Sequence, residues 1–510
     1  MPTPWQSAFA PFVLRSNIVF FHDWRYVDHG AHAWVDEAGK SYGLWHAQPI
    51  PPLRWAGRDV PWGIRLRALP AQKSEPFLHS DQPWEGIIFP PTTLREGGRY
   101  RLWYEVVPPD HIDDGRTGEH NFLCYAESDD GVTWHKPRLG RLRYQGHDTN
   151  VVYGGPLAEP WGYHGGSVFL DPAATAAERY KAFHLSRISR ERLEELRRAR
   201  PDAVDPFNDR TAKKPWAVCG AVSPDGIDWH PIPEPLVAQF SDTQNIAYYD
   251  ESLHKYVGYF RTWVMGRRAI GRAETDDFRR FPLPETIIWP GADVGSSDTW
   301  YANGRTCYPG APDYHLMFPK RWKIAEDRFY VHLATSPDGI LWTFPPESLI
   351  LAASEDSGWD AGGVSVGCGM VELPGERVGV AFVGDRIPHK YTRVPPVGQI
   401  AWAWWEKGRL VALEAGERGQ FHTWPLLFRG SELRLNVRTK HVGEVRIEAV
   451  GADGKALSGR SFDDCDPISG DFLDRVVTWR GESHMEHKPD EPLSFRVRLA
   501  AAQLFSMRLT

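Results

Sequence analysis

One segment recurs along this chain and limits what it can fold into: a strand that enters an Asp-Gly turn and ends on a tryptophan. It reads CYAESDDGVTW up to Trp134, CGAVSPDGIDW up to Trp229 and HLATSPDGILW up to Trp342. GRAETDDF from Gly271 to Phe278 and IAWAWWEKGRL from Ile400 to Leu410 are degenerate copies. One copy alone would be an ordinary hairpin. Recurrence at a domain-scale spacing is instead the signature of a repeat architecture.

Two further elements run in register with the first. An alternating aromatic strand precedes each copy, at Arg99–Tyr104, Arg179–Phe183, Lys255–Phe260, Asp313–Phe318 and Arg377–Phe382, with the period of two that a strand requires. Ahead of each strand comes a short polar lead: Trp84-Glu85-Gly86, Gly162–Gly166, Asp242–Asn245, Asp298–Asn303 and Trp359–Gly363. Five such triplets, each followed by an outer strand, make five four-stranded blades over residues 82–145, 146–240, 241–290, 291–350 and 355–415. The expected fold is all-β: a five-bladed β-propeller over 81–415 and a C-terminal β-sandwich over 420–510. Residues 1–80 are read as an N-terminal extension packing on the propeller, with a sixth blade from 15–80 as the alternative. The second blade carries an insertion with a short amphipathic helix near Arg190 to Arg200. The sandwich is read from LRLNVR, VRIEAV, DRVVTW, LSFRVRL and QLFSMRL, alternating segments separated by glycine turns.

Composition agrees with this reading and excludes others. The chain has 510 residues, with 23 Trp, 18 Tyr, 24 Phe, 47 Gly and 42 Pro, as short aromatic strands joined by tight turns would give. A net charge of −7 carries no nucleic-acid footprint. Cys124, Cys219, Cys307, Cys368 and Cys465 form no CxxC pair, so neither a zinc site nor a disulfide framework is expected. No apolar run is long enough to span a bilayer, and MPTPWQSAFAPFVLRSN has neither a basic start nor a continuous apolar stretch. The expectation is a cytoplasmic chain without membrane or nucleic-acid partners; a homo-oligomer is compatible with it.

The polar leads are where chemistry is expected. They set Glu85, His164, Asp242, Asp298 and Asp360 at equivalent points, one per blade, where inner strands enter the axial funnel. Carboxylates gathered on one axis are costly unless they bind a cation, share protons or work as acid and base. Glycoside hydrolysis needs two, one protonated and one ionised. Glu85, Asp242, Asp298 and Asp360 are therefore the catalytic candidates, with Glu85 as proton donor. Gln244, Asn245 and Asn303 offer amides to hydroxyls, Trp300 offers a ring face, and His164 and Asp23 complete the candidate sugar contacts. Each residue also has a bland reading: an Asp before Thr caps a turn, and Asp298 and Asp360 suit blade-closing hydrogen bonds. Asp171 is set aside as lying on a surface turn. No cofactor is expected, although a structural calcium near the axis is allowed. The cluster of Asp463, Asp464, Asp466 and Asp471 matches no EF-hand spacing and is read as a solvated loop.

Taken together, Pro83–Gly86, Asp242–Asn245, Asp298–Asn303, Ser336–Trp342, Trp359–Gly362 and Asp463–Pro467 resemble the invertase- and arabinanase-type propeller glycoside hydrolases, and more closely a bacterial group of invertase-like proteins. The resemblance implies a carbohydrate substrate, polysaccharide degradation and hydrolysis of a terminal sugar, with furanosides among the candidates. The WMNDPNG-like strand, RDP and EC segments of invertases are absent, so no residue role carries over. SPDGxxW is similar to the sialidase Asp box but one residue short. Two alternatives stand beside the hydrolase: a non-catalytic carbohydrate-binding propeller, and a glycoside phosphorylase using Arg261, Arg305, Lys320 or Arg321.

Overall fold

Five antiparallel sheets succeed one another along the chain in the computed structural model, which describes residues 11–30, 33–35, 37, 41–43, 60–112, 118–206, 215–355, 358–392 and 394–510. The first runs outward from Ile87–Ile88 and Thr92–Glu96 through Arg99–Val107 and Phe122–Ser128 to Val151–Gly154. The second is His164–Leu170, Tyr180–Arg187, Trp216–Ser223 and His230–Pro231; the third is Ile246–Asp250, Lys255–Val264, Arg267–Thr275 and Glu285–Ile288. In the fourth the ladder divides in two. Thr299–Ala302, Lys320–Lys323, Arg328–His332 and Leu349–Ala352 form one part, and Arg305–Tyr308, Ala311–Met317 and Ala334–Ser336 the other. The fifth begins at Gly363–Val366 and Val371–Leu373, continues through Arg377–Asp385 and Gln399–Glu406, and ends on Gln72–Lys73 and Leu78–His79.

The protein is thus all-β, a five-bladed β-propeller with a β-sandwich. Two details differ from the sequence reading, and the alternative of a sixth blade is not met among the described residues. Residues 72–79, read as part of an extension, supply the outer strand of the fifth blade and close the ring, with His79 opposite Gln399 and Lys73 opposite Ala403. No blade forms from 15–80 among the described residues, since Arg65–Ala68 pairs with Val411–His422 and Ile18–Phe20 with Ser494–Leu509. Val151–Gly154, expected to open the second blade, closes the first instead. The helix in the second blade spans Arg190–Ala199; the Ser189 hydroxyl caps its N-terminus, and Leu193 and Leu196 are its buried face.

Hydrogen bonds between successive inner strands fix the axis. Asn245 N donates to Gly165 O at 2.6 Å, Gly304 N to Gln244 Oε1 at 2.9 Å, Met370 N to Thr306 Oγ1 at 2.9 Å, Thr93 N to Cys368 O at 2.9 Å, and Val168 N to Thr92 Oγ1 at 3.1 Å. These five links join each blade to the next around the ring.

The Asp-Gly-Trp turns tie the blades together farther out. In each, the Ser hydroxyl accepts the Gly amide, the Asp carboxylate accepts two following amides, and the Trp indole donates to the Gly carbonyl. That carbonyl also accepts from an adjacent blade: Gly131 from Trp402, Gly226 from Trp103, and Gly339 from Tyr259, at 2.8, 2.7 and 2.9 Å. The third blade has lost the turn. There Phe278 packs against Phe169 and Phe183 of the second blade, so apolar contact stands in for the hydrogen bond.

Two units emerge from the packing: Pro70–Trp342 with Leu349–Trp405, which is the propeller, and Met1–Leu69 with Thr343–Ser348 and Glu406–Thr510. In the second, the segments read as separate strands are continuous. Leu433–Val450 contains both LRLNVR and VRIEAV, and Ser494–Leu509 both LSFRVRL and QLFSMRL. Register shifts between Asn436 and Val437 and between Thr439 and Glu444 bend these long strands, as bulges do. No helix among the described residues is long and apolar enough to cross a membrane.

Candidate functional site

All five polar leads stand at the entrance of an inner strand, as expected, but their side chains meet different fates. Glu85 is fully enclosed. Its carboxylate accepts Asp81 N, Gln82 N, the Tyr104 hydroxyl at 2.5 Å and Lys136 Nζ at 2.8 Å, and its side chain is 0% exposed. Asp360, 2% exposed, takes Lys73 Nζ at 2.5 Å from the ring-closing strand. Both carboxylates are paired with a lysine inside their own blades, as blade-closing contacts are.

Around Asp242 the arrangement is different. Its side chain remains 33% exposed while it forms an ion pair with Arg261, itself 1% exposed. His164 lies beside it, with Nε2 3.0 Å from the Asp242 carbonyl oxygen and Nδ1 2.8 Å from Oε1 of Glu105. A register shift between His164 and Ser167 re-aims the histidine. Gly165, at φ +53°, lets the backbone approach: a Cβ there would stand 3.0 Å from Gln244 N. Glu105 is buried and also accepts Asn121 Nδ2 at 2.5 Å and Gly165 N at 2.7 Å. Sequence reasoning passed over Glu105, although an acid inside the apolar run Leu102–Val107 of a central strand was a signal.

Arg261 also contacts Tyr301. Arg261 donates to the Tyr301 carbonyl at 2.7 Å and holds its guanidinium 4.5 Å from the ring centre. Burial pulls Arg261 down to about 9; the neighbouring Arg268 acts in the same direction and Tyr301 opposes. Arg268 and Lys320 Nζ also lie over the Tyr301 ring, at 5.2 and 4.6 Å, and the Tyr301 hydroxyl is 3.1 Å from His389 Nε2. Trp300 precedes Tyr301 in the strand and so points to the opposite face. It is buried edge-on against His332, whereas Tyr301 is half-buried. Asp298 is 11% exposed, its carboxylate accepts no hydrogen bond among the described residues, and Arg321 Nε is 3.7 Å away.

The amide donors expected to bind sugar are engaged within the protein, while Asn245 Oδ1 is buried with no hydrogen-bond partner among the described residues. Gln244 Nε2 donates to Val366 O, Asn303 Nδ2 to Gln244 O, and Asn245 Nδ2 to Gly165 O and Ser241 O. Gln244 also holds φ +30°, a strained conformation kept by the bonds around it. Asp23 belongs to the sandwich-containing unit, where Arg25 grips both its carboxylate oxygens. Asp171 is not on an open surface: it is buried, with Lys181 Nζ at 2.7 Å and the Tyr256 hydroxyl at 2.8 Å. Of the cations suggested for a phosphorylase, Arg261 and Lys320 share the Tyr301 cluster, whereas Arg305 stacks on Tyr248 and bonds His315. In the acidic C-terminal loop Asp464 holds Ser461, Asp466 holds Thr478, and Asp471 holds Arg409 and Arg438. Among the described residues no group of His, Cys, Asp and Glu is placed to hold a metal.

No family model matches the chain, and no curated protein matches its sequence. Solved structures similar to it include a putative glycoside hydrolase from Bacteroides ovatus, 14% identical over 67% of this chain and 97% of that one, TM-score 0.43. A beta-fructofuranosidase of Bombyx mori is 10% identical over 85% and 94%, TM-score 0.41. An N-acetylgalactosamine deacetylase from F. plautii is 13% identical over 68% and 97%, TM-score 0.41. At such identities no residue role carries over from them.

Proposed function

We propose that this chain is a glycosidase, cleaving a terminal sugar from an oligosaccharide or glycoside with Asp242 at the centre of its reacting groups. One observation carries the reading. Of the four carboxylates at the blade entrances, Asp242 alone joins an ion pair to a buried arginine with an opening to solvent, at 33% exposure. A carboxylate held against a guanidinium favours its ionised form, which suits it to stabilise positive charge on a sugar ring or to activate water. The second carboxylate is Asp298, mostly buried and accepting no hydrogen bond among the described residues, with Arg321 Nε at 3.7 Å; it is assigned the role of general acid as the other half of the pair such cleavage needs. In the cleavage a proton passes from Asp298 to the leaving oxygen, the glycosidic bond breaks, and water adds its hydroxyl to the ring carbon while Asp242 takes up the proton the water gives up. The pair of His164 and Glu105 positions the backbone of Asp242.

Turnover of a panel of aryl glycosides, followed by magnetic resonance of the products, tests this directly. Hydrolysis of at least one glycoside by the wild type, lost in Asp242→Asn and in Asp298→Asn, is the expected result. A wild type that binds sugars and cleaves none would identify a carbohydrate-binding propeller instead.

A further inference from the structure

Positive charge is concentrated around a single phenol ring. The guanidinium carbons of Arg261 and Arg268 and the Nζ of Lys320 lie 4.5, 5.2 and 4.6 Å from the Tyr301 ring centre. Lys390 Nζ adds a fourth cation over the adjoining Trp322 ring, 5.2 Å from its centre. Among the described residues two acids are paired or bonded within this group. Asp242 pairs with Arg261, and Asp327 accepts the Trp322 indole and the Lys390 amide. Lys320 Nζ is held by the Ser365 hydroxyl, and His389 by the Tyr301 hydroxyl.

Arg268 is the group left over. Among the described residues no carboxylate pairs with it, and its Nε is buried without a hydrogen-bond partner. It is instead wedged among Trp263, Tyr301 and Trp322, 5.0, 5.2 and 5.4 Å from their ring centres. A planar guanidinium gripped by aromatic rings keeps its orientation, and its remaining N–H donors suit a planar or tetrahedral oxyanion. Clustered cations with too few acids are costly to hold together unless an anion completes them.

We infer that this cluster recognises an oxyanion on the substrate, a carboxylate or a phosphate, with Arg268 as the residue that selects for it. The inference deepens the glycosidase reading and rests on it for the sugar portion only. A sugar bearing a carboxylate, or a phosphate bound beside a neutral sugar, presents the same chemistry to Arg268.

The test is equilibrium binding, which does not depend on turnover. Tryptophan emission, to which Trp263 and Trp322 contribute among 23 tryptophans, follows binding, and calorimetry measures it independently. The probes are sodium galacturonate and glucuronate against galactose and glucose, together with inorganic phosphate. Uronates should bind about tenfold or more tighter than the matching neutral sugars, the size of one charge-assisted contact. High salt should narrow the difference, Arg268→Gln should erase it, and Arg268→Lys should retain part of it. Phosphate binding that is lost in Arg268→Gln, without a uronate preference, would support the cluster and identify phosphate as its anion. Equal affinity for charged and neutral sugars together with no phosphate binding, or an anion preference unchanged in Arg268→Gln, would overturn the inference. Anion binding without cleavage of any glycoside would leave the cluster standing and reject the hydrolase reading.

Discussion

Nδ1 of His164 lies 2.8 Å from Oε1 of Glu105, across the seam between the first two blades, while its other ring nitrogen reaches the Asp242 carbonyl. The glutamate comes from a second strand and the histidine from an inner one, so the pair anchors a funnel residue to the blade behind it. Glu105→Gln replaces an acceptor of three donors with an amide that repels some of them. A hydrogen bond to a charged group contributes about 1.5–3 kcal/mol, so kcat should fall roughly ten- to a hundredfold. KM should change less, because Glu105 is buried. A KM rise with kcat intact would make the pair purely structural.

Asp242→Asn should lower turnover of a responsive glycoside by about 10²–10⁴, the range for a lost acid–base group. It should also lower the melting temperature, since Arg261 is then left buried without its counterion. The double variant Asp242→Asn with Arg261→Met separates the two effects. Stability should recover, because no charge is stranded, and activity should not.

Glu85→Gln is expected to behave in the opposite way. Lys136, 12% exposed against a fully enclosed Glu85, loses its buried partner and keeps, among the described carboxylates, only Asp81, whose side chain is 59% exposed. Breaking a buried pair costs about 3–5 kcal/mol, which the urea midpoint would report. Activity per folded molecule should persist. Loss of turnover without loss of stability would return Glu85 to the role of proton donor.

The contrast between these carboxylates shows what the sequence could and could not disclose. The Asp-Gly-Trp turns were legible because their bonds close within a few residues, as from Asp225 to Ile227 and Asp228. The aromatic strands were legible by their period of two. Ring closure was not: the strand Leu78–His79 is too short to show a period, and its partner Gln399–Glu406 is far away in sequence. The site followed the same rule. An acid at each strand entrance is a local feature, but its role depends on whether Lys136, Lys73 or Arg261 arrives beside it from another element.

The turn at Asp225 should prove structural. Asp225→Ala removes the acceptor of two backbone amides, and a lost cap of this kind costs about 1 kcal/mol. The melting temperature should drop modestly. Trp103→Phe, which deletes the donor to Gly226 from the neighbouring blade, should lower it comparably. If the two act through one inter-blade contact, the double variant should cost less than the sum of the singles. Strict additivity in thermal melts would mean that turn and neighbouring blade are independent.

Stability should fall on the acid side of neutrality because of histidines buried in the neutral form. Burial lowers His184 from 6.5 to about 4. Its Nε2 has no hydrogen-bond partner among the described residues, and its ring packs between Tyr153 and Tyr163. Burial likewise lowers His332 to about 4 and His22 to about 3. The unfolded chain protonates such a group near 6.5 while the folded chain resists until about 4, so the unfolded state binds more protons between those values. Stability is therefore fully present above about pH 6.5 and is lost as pH falls toward the folded value. For His184 alone the loss between pH 7 and pH 5 is about 2 kcal/mol. Urea unfolding of the wild type at both pH values, beside His184→Phe, measures that share. Phenylalanine keeps a ring between the two tyrosines and cannot take up the proton, so the variant should lose less stability than the wild type on acidification, whatever its stability at pH 7. An identical pH dependence in the two proteins would show that His184 is not a source of the acid sensitivity.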